Sequence, residues 1–218
     1  MDIASYIDQA LLKTEVSTAD IEYLCREAAA YKFKAVFVNP SFAALAARKL
    51  EGTGVRVGTV AGFPLGATTA DVKIYEAGIG ENSGAQEIDM VANVGAIKSG
   101  DWGTVRKEIA GVREALSRDT ILKVIIEATL LTVEEKITVA QVVADCGADF
   151  VKTSTGMFGQ ATIEDVGLLF KEVGSRIGVK ASGGIRTLAD ALAMIEAGAS
   201  RIGTSSGAAI VEAQKKSR

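Results

Sequence analysis

Eight short runs rich in β-branched residues, each followed by an amphipathic stretch, constrain this chain more than any other feature. The runs span 8–12, 35–38, 55–60, 87–91, 122–126, 150–153, 178–181 and 201–203. Each is too brief for a helix, and their steady alternation with helical periodicity predicts a parallel α/β architecture. Eight such units in 218 residues fit a single-domain (β/α)8 TIM barrel, with residues 1–218 as one catalytic domain. An open doubly wound sheet is the alternative. Thr132-x-x-Glu135 forms a capping box, and Thr162-x-x-Asp165 and Thr187-x-x-Asp190 are looser relatives of it. Asp101 can cap the helix that carries Val105, Ile109 and Val112. Gly84-Ala85, Gly147-Ala148 and Gly198-Ala199 each close a helix just before a strand, a weak internal repeat. One helix is poorly written: Gly78, Gly80 and Asn82 fall within 77–83, where a fray or break is expected.

Composition narrows the chemistry. The chain is 48% hydrophobic with only two prolines, and no linker-like segment divides it. A net charge of −3 provides no basic field for nucleic acid. The apolar runs are short and broken by charge, so no membrane span is expected. Met1-Asp2-Ile3-Ala4-Ser5 has neither a basic nor an apolar leader pattern, and a cytoplasmic location is expected. Cys25 and Cys146 read as small buried residues on helices rather than as a disulfide. The sequence contains no histidine. Mechanisms built on Ser-His-Asp or Cys-His are thereby excluded, as are imidazole-based zinc sites. Acid–base work falls to Lys, Asp, Glu, Tyr, a hydroxyl or water.

Phe150-Val151-Lys152-Thr153-Ser154-Thr155-Gly156 brings a strand to its end on a lysine, three hydroxyls and a glycine. Gly178-Val179-Lys180-Ala181-Ser182-Gly183-Gly184 repeats the arrangement on the next strand. Barrel function collects at strand C-termini, and alternate residues face the interior. Lys152 and Lys180 then both point inward on strands about 4.8 Å apart. Like charge and burial each disfavour a second proton, so one of the two amines should be neutral near pH 7. The same alternation turns Asp89 and Lys123 inward, with Asp8 on the first strand. Two acids cannot pair three lysines, and the unpaired one should shed its proton. Spacing alone does not say which; the hydroxyl-rich exit after Lys152, with Thr155 in support, favours that residue. The alternative for Asp89 is a structural ion-pair partner only, and Lys123 reads as structural rather than catalytic.

Ser182-Gly183-Gly184-Ile185-Arg186-Thr187 and Gly203-Thr204-Ser205-Ser206-Gly207 leave the last two strands. Small residues let backbone N–H groups approach an anion, and a helix N-terminus adds a favourable dipole. Gly183, Gly184, Gly203, Ser205 and Ser206 are therefore candidate phosphate-binding residues. Neither GxxxxGK[ST] nor GxGxxG is present, which favours a monophosphate over a nucleotide.

The ordered segments Leu11-Leu12-Lys13, Val38-Asn39-Pro40, Gly62-Phe63-Pro64-Leu65-Gly66, Glu87-Ile88-Asp89-Met90-Val91 and Lys123-Val124-Ile125-Ile126-Glu127, together with the two lysine strands and both glycine–serine loops, cover nearly the whole chain. In these the sequence resembles deoxyribose-phosphate aldolase, a class I aldolase family. The resemblance implies a barrel with no metal or organic cofactor. It implies reversible cleavage of 2-deoxy-D-ribose 5-phosphate to acetaldehyde and D-glyceraldehyde 3-phosphate. It implies Lys152 as Schiff-base residue, Lys180 as the lysine that tunes it and relays protons, and Asp89 as general acid/base. The partners it implies are small phosphorylated sugars and aldehydes, and a possible homodimer. Departures from the family pattern are Gln9 and Ala10 (usually histidine or another residue, then threonine), Thr14 (often proline), a short loop at 157–160, and Phe37, where a smaller residue, often cysteine, is common. Many members end in a tyrosine that assists enamine protonation, whereas the last tyrosine here is Tyr75. Rival readings are a transaldolase-like enzyme, a non-catalytic sugar-phosphate binder, and a phosphate-binding isomerase using Glu127 as base.

Overall fold

A computed structural model describes residues 1–217. All eight runs are strands: β1 (Ile7–Leu11), β2 (Ala35–Val38), β3 (Arg56–Ala61), β4 (Glu87–Val91), β5 (Ile121–Ile125), β6 (Phe150–Lys152), β7 (Gly178–Ser182) and β8 (Arg201–Thr204). They close into a barrel in sequence order, and β8 pairs parallel with β1. That closure excludes the open sheet. The surrounding helices are α1 (Thr18–Tyr31), α2 (Ala43–Leu50), α3 (Ala70–Asn82), α4 (Val94–Lys98), α5 (Trp102–Ala115), α6 (Val133–Asp145), α7 (Ile163–Val173), α8 (Leu188–Glu196) and α9 (Gly207–Lys216). No helix among the described residues is long and apolar enough to cross a membrane.

The strand period sorts the residues. Outward positions such as Val36, Ile88, Val124, Val151, Val179 and Ile202 are buried between sheet and helices and form the main core. Inward positions carry Asp8, Glu87, Asp89, Lys123, Lys152, Lys180 and Arg201, all buried. Barrel interiors are usually filled by layers of branched aliphatics. This one is filled largely by charge, at a cost in desolvation that only mutual pairing can offset.

The helix starts follow their capping chemistry. Thr132 with Glu135 and Thr187 with Asp190 form reciprocal boxes, and Ser17 with Asp20 forms another on α1. Thr162 accepts the Asp165 N–H without the return bond, and Asp101 accepts from Thr104. Gly84, Gly147 and Gly198 stand at φ 93°, 77° and 115° as helix terminators. Cys25 is buried, but Cys146 is only half-buried at the end of α6.

The fray expected at 77–83 does not occur: α3 runs unbroken through Gly78 and Gly80. A Cβ at Gly80 would lie 2.6 Å from Thr59 Cγ2 and 3.0 Å from Ile88 Cδ1. The glycine lets α3 seat closely on β3 and β4, and that packing outweighs its poor helix propensity.

Candidate active site

Strand register brings the expected residues together. Lys152 is level with Lys180 across β6 and β7, and Asp89 is level with Lys123 across β4 and β5. Asp89 is the hub. Its Oδ2 lies 2.7 Å from Lys152 Nζ and 2.8 Å from Lys180 Nζ, and its Oδ1 lies 3.3 Å from Lys123 Nζ. Lys180 also reaches Asp8 Oδ2 at 2.7 Å.

The expectation that two acids leave one lysine unpartnered needs correction. Glu87 also faces inward and bonds Lys123, and Arg201 bridges Asp8 and Glu87. Every inward cation therefore touches a carboxylate. The alternation that points Asp89 inward points Glu87 inward two residues earlier, so Glu87 was legible in principle. Arg201, at the very start of β8, offered only its strand position. With both included, Lys123, Lys152, Lys180 and Arg201 face Asp8, Glu87 and Asp89, and the interior still carries one positive charge in excess.

That excess falls on Lys152. Burial depresses its ammonium, the Asp89 carboxylate opposes this, and the neighbouring Lys180 charge adds to the depression; the result is a pKa lowered to about 8. Lys180 is affected oppositely. Burial works against its charge, but Asp8 and Asp89 together outweigh burial and hold it above the ordinary lysine range. Asp89 itself is buried, yet the three lysines around it, Lys152 first, keep its carboxyl well below the usual range. Asp8 is held low against burial by Lys180 and Arg201. The arrangement is a dry cluster with one easily discharged amine beside one persistent ammonium.

Lys152 and Lys180 open into a cavity of about 360 Å³, which Gly183, Gly184, Gly203 and Ser205 also line. Crossed hydroxyl bonds hold two of its loops together: Ser154 Oγ donates to the Ser182 carbonyl at 2.8 Å, and Ser182 Oγ to the Ser154 carbonyl at 2.6 Å. Gly183 and Gly184 take φ values of 101° and 78°, which L side chains rarely adopt. A Cβ at Gly203 would meet Ser182 Cβ at 2.7 Å and Lys180 Cε at 3.2 Å, so this glycine makes room for the lysine stem. Among the described residues, the N–H groups of Gly183, Gly184 and Ser205 find no protein acceptor. Ser206 is set back from the cavity, its N–H given to Thr204 Oγ1 at 2.9 Å.

Gln9 was not expected to support the site. Its Oε1 accepts the Gly207 N–H at 2.9 Å and its Nε2 donates to the Ser205 carbonyl at 3.3 Å, which fixes the start of α9. A polar residue on an otherwise apolar strand face was the available signal. Thr155 donates through its N–H and Oγ1 to Glu127 Oε2, at 3.0 and 2.7 Å. Glu127 lines a separate apolar cavity of about 230 Å³ beside Leu130 and Phe158, not the one containing the lysines.

Comparison with known proteins agrees with this geometry. Residues 3–213 match the family described as DeoC/LacD family aldolase. A protein of Thermoanaerobacter sp. (strain X514) named deoxyribose-phosphate aldolase is 52% identical, over 99% of this chain and 98% of its own. One of Streptococcus pneumoniae (strain Taiwan19F-14) with the same name is 54% identical, over 98% and 97%. The solved deoxyribose phosphate aldolase from Aeropyrum pernix, described as a tetramer, superposes with a TM-score of 0.92 at 35% identity, over 99% of this chain and 92% of that one. With half of its residues shared along the full length of such relatives, and the family pattern matched almost from end to end, this chain belongs to the DeoC/LacD family of aldolases.

Proposed function

We propose that the chain is a deoxyribose-phosphate aldolase that works through an imine at Lys152. The observation that carries this reading is the buried Lys152 amine, lowered to about 8, at the floor of a cavity rimmed by the glycine loops of β7 and β8. The substrate is 2-deoxy-D-ribose 5-phosphate in its open-chain form, as the names of the relatives suggest. Lys152 attacks the aldehyde carbon, and the carbinolamine loses water to give an iminium. Asp89, whose Oδ2 accepts from both Lys152 and Lys180, and Lys180 carry protons to and from the carbinolamine and the C3 hydroxyl. As the C3 hydroxyl loses its proton, the C2–C3 bonding pair moves into the iminium. D-Glyceraldehyde 3-phosphate leaves, and an enamine remains on Lys152. Protonation at carbon and hydrolysis release acetaldehyde and restore the amine.

The phosphate takes the N–H groups of Gly183, Gly184 and Ser205, with Gly203 leaving space. Held at a distance from the breaking bond, it fixes the reacting carbons over Lys152. Asp8, Lys123 and Thr155 support: Asp8 holds Lys180, Lys123 braces Asp89, and Thr155 anchors the loop after β6. Self-association belongs to the same reading, supported by the tetrameric Aeropyrum pernix relative; light scattering measures it directly. The free thiols Cys25 and Cys146 support a reducing, cytoplasmic setting.

The test is borohydride reduction in the presence of acetaldehyde, followed by peptide mapping. The expected result is an ethyl adduct on Lys152, together with aldehyde release from 2-deoxyribose 5-phosphate. Phosphate binding without any adduct would instead identify a non-catalytic binder.

A further inference from the structure

Phe37 lies inside the barrel on β2 and is 1% exposed. Three ammonium groups surround its ring: Lys180 Nζ is 3.7 Å from the centroid, Lys123 Nζ 4.7 Å and Lys152 Nζ 6.0 Å. The flanking strands make room for it. Phe37 is level with Ala10 on β1 and with Gly58 on β3, and a Cβ at Gly58 would fall within the ring's van der Waals envelope. The face of an aromatic ring is the negative part of its quadrupole, so it attracts a cation, and the attraction weakens quickly with distance. Phe37 therefore holds the Lys180 ammonium much more strongly than that of Lys152.

We propose that Phe37 is a positioning residue that keeps the proton on Lys180 and so leaves the free amine to Lys152. This rests on the imine reading above. The shared carboxylate does not make the distinction, because Asp89 Oδ2 is 2.7 Å from one lysine and 2.8 Å from the other. The charged groups facing the pair are Asp8 from β1, Glu87 and Asp89 from β4, Lys123 from β5 and Arg201 from β8. Lys123 disfavours a proton on Lys152, and Arg201 disfavours one on Lys180. Glu87 is engaged with Lys123 and Arg201. Asp8 contacts Lys180 and not Lys152. Asp8 and the Phe37 ring thus both favour the proton on Lys180, and of these two only the ring acts without a charge of its own.

The experiment places pentafluorophenylalanine at position 37, which keeps the ring's shape but inverts the charge of its face, and compares it with Phe37→Leu. Each protein is reduced with borohydride in the presence of acetaldehyde, and the adduct is mapped to Lys152 or Lys180. A fall of one unit in the Lys180 pKa frees about ten times more of its amine at a given pH. The expected result is an adduct almost confined to Lys152 in the unmodified protein, and about a tenfold rise in the Lys180 share in both variants. An unchanged share in the pentafluoro protein, with Lys152 still trapped, overturns the proposal. A rise in Phe37→Leu alone also overturns it, since the ring would then act by filling space. If Phe37→Leu does not fold, the pentafluoro protein decides. Absence of any adduct in the unmodified protein would overturn the imine reading instead.

Discussion

Two buried ionic clusters in this molecule differ in charge balance and in access to the cavity, and the difference separates structure from chemistry. Lys73 on α3 meets Glu108 on α5 at 2.5 Å, with exposures of 0% and 1%. The other Glu108 oxygen accepts the Asn93 N–H at 2.7 Å. Burial lowers the lysine and raises the glutamate, each only partly offset by its partner. The pair is balanced, closed and remote from the cavity that the lysines line. The barrel interior has similar components but is unbalanced, with one more cation than carboxylate, and the surplus lies on the lysine that opens into the cavity. A balanced buried pair ties two helices together; an unbalanced network yields an amine that can react.

Lys152→Met tests this contrast most severely. Removing the nucleophile should lower turnover by about 10⁴-fold or more. It also removes the surplus charge, so the variant should melt higher than the parent near neutral pH. In the folded protein Lys152 titrates near 8, against 10.5 when unexposed to such surroundings. Between those values the unfolded chain holds the proton and the folded one does not, so stability rises with pH. The penalty is thus fully present below about 8, worth about 3 kcal/mol, and fades towards 10.5. Calorimetry across that window should show the advantage of the variant shrinking; a lower midpoint at pH 7 would break the comparison.

Asp89→Asn comes next. Three lysines lose their common carboxylate, which should cost about 3–5 kcal/mol in denaturant unfolding. Replacing both halves of the closed pair, as Lys73→Met with Glu108→Leu, should cost no more than the orphaned Asn93 N–H, about 1–3 kcal/mol, and should leave the pH–rate profile unmoved. Lys180→Met sharpens the electrostatic part. Without that cation the Lys152 amine should titrate about one unit higher, read from the pH dependence of imine trapping. Gly203→Ala should disturb turnover less than any change to the charged network. Its Cβ would crowd Lys180 Cε, a strain of about 1–3 kcal/mol that should appear as a several-fold loss of kcat.

Much of this was readable from residue order. The eight strands differ from the sequence reading by a single residue at most at either end, because short β-branched runs between capped helices have few other ways to fold. Alternation turned Asp89, Lys123, Lys152 and Lys180 inward correctly. It should also have included Glu87, and it gave little warning of Arg201, whose guanidinium reaches across the barrel floor. Gly78 and Gly80 point the wrong way in the sequence because helix propensity is local, whereas the contact of α3 with Thr59 and Ile88 is not. Gln9 was passed over because its partners, Ser205 and Gly207, lie almost the whole chain away.

By itself, then, the sequence determined the alternation of eight strands with helices and the inward facing of Asp89, Lys123, Lys152 and Lys180. Those depend on periods of two and of about 3.6 residues, which are properties of the local backbone. Only the tertiary structure decided how the interior charges divide: which carboxylate serves three lysines, which ammonium lies against the Phe37 ring, and which amine is left to discharge. Such outcomes depend on distances between strands far apart in the chain, and in a site shut off from water a difference of an ångström or two determines where a proton stays.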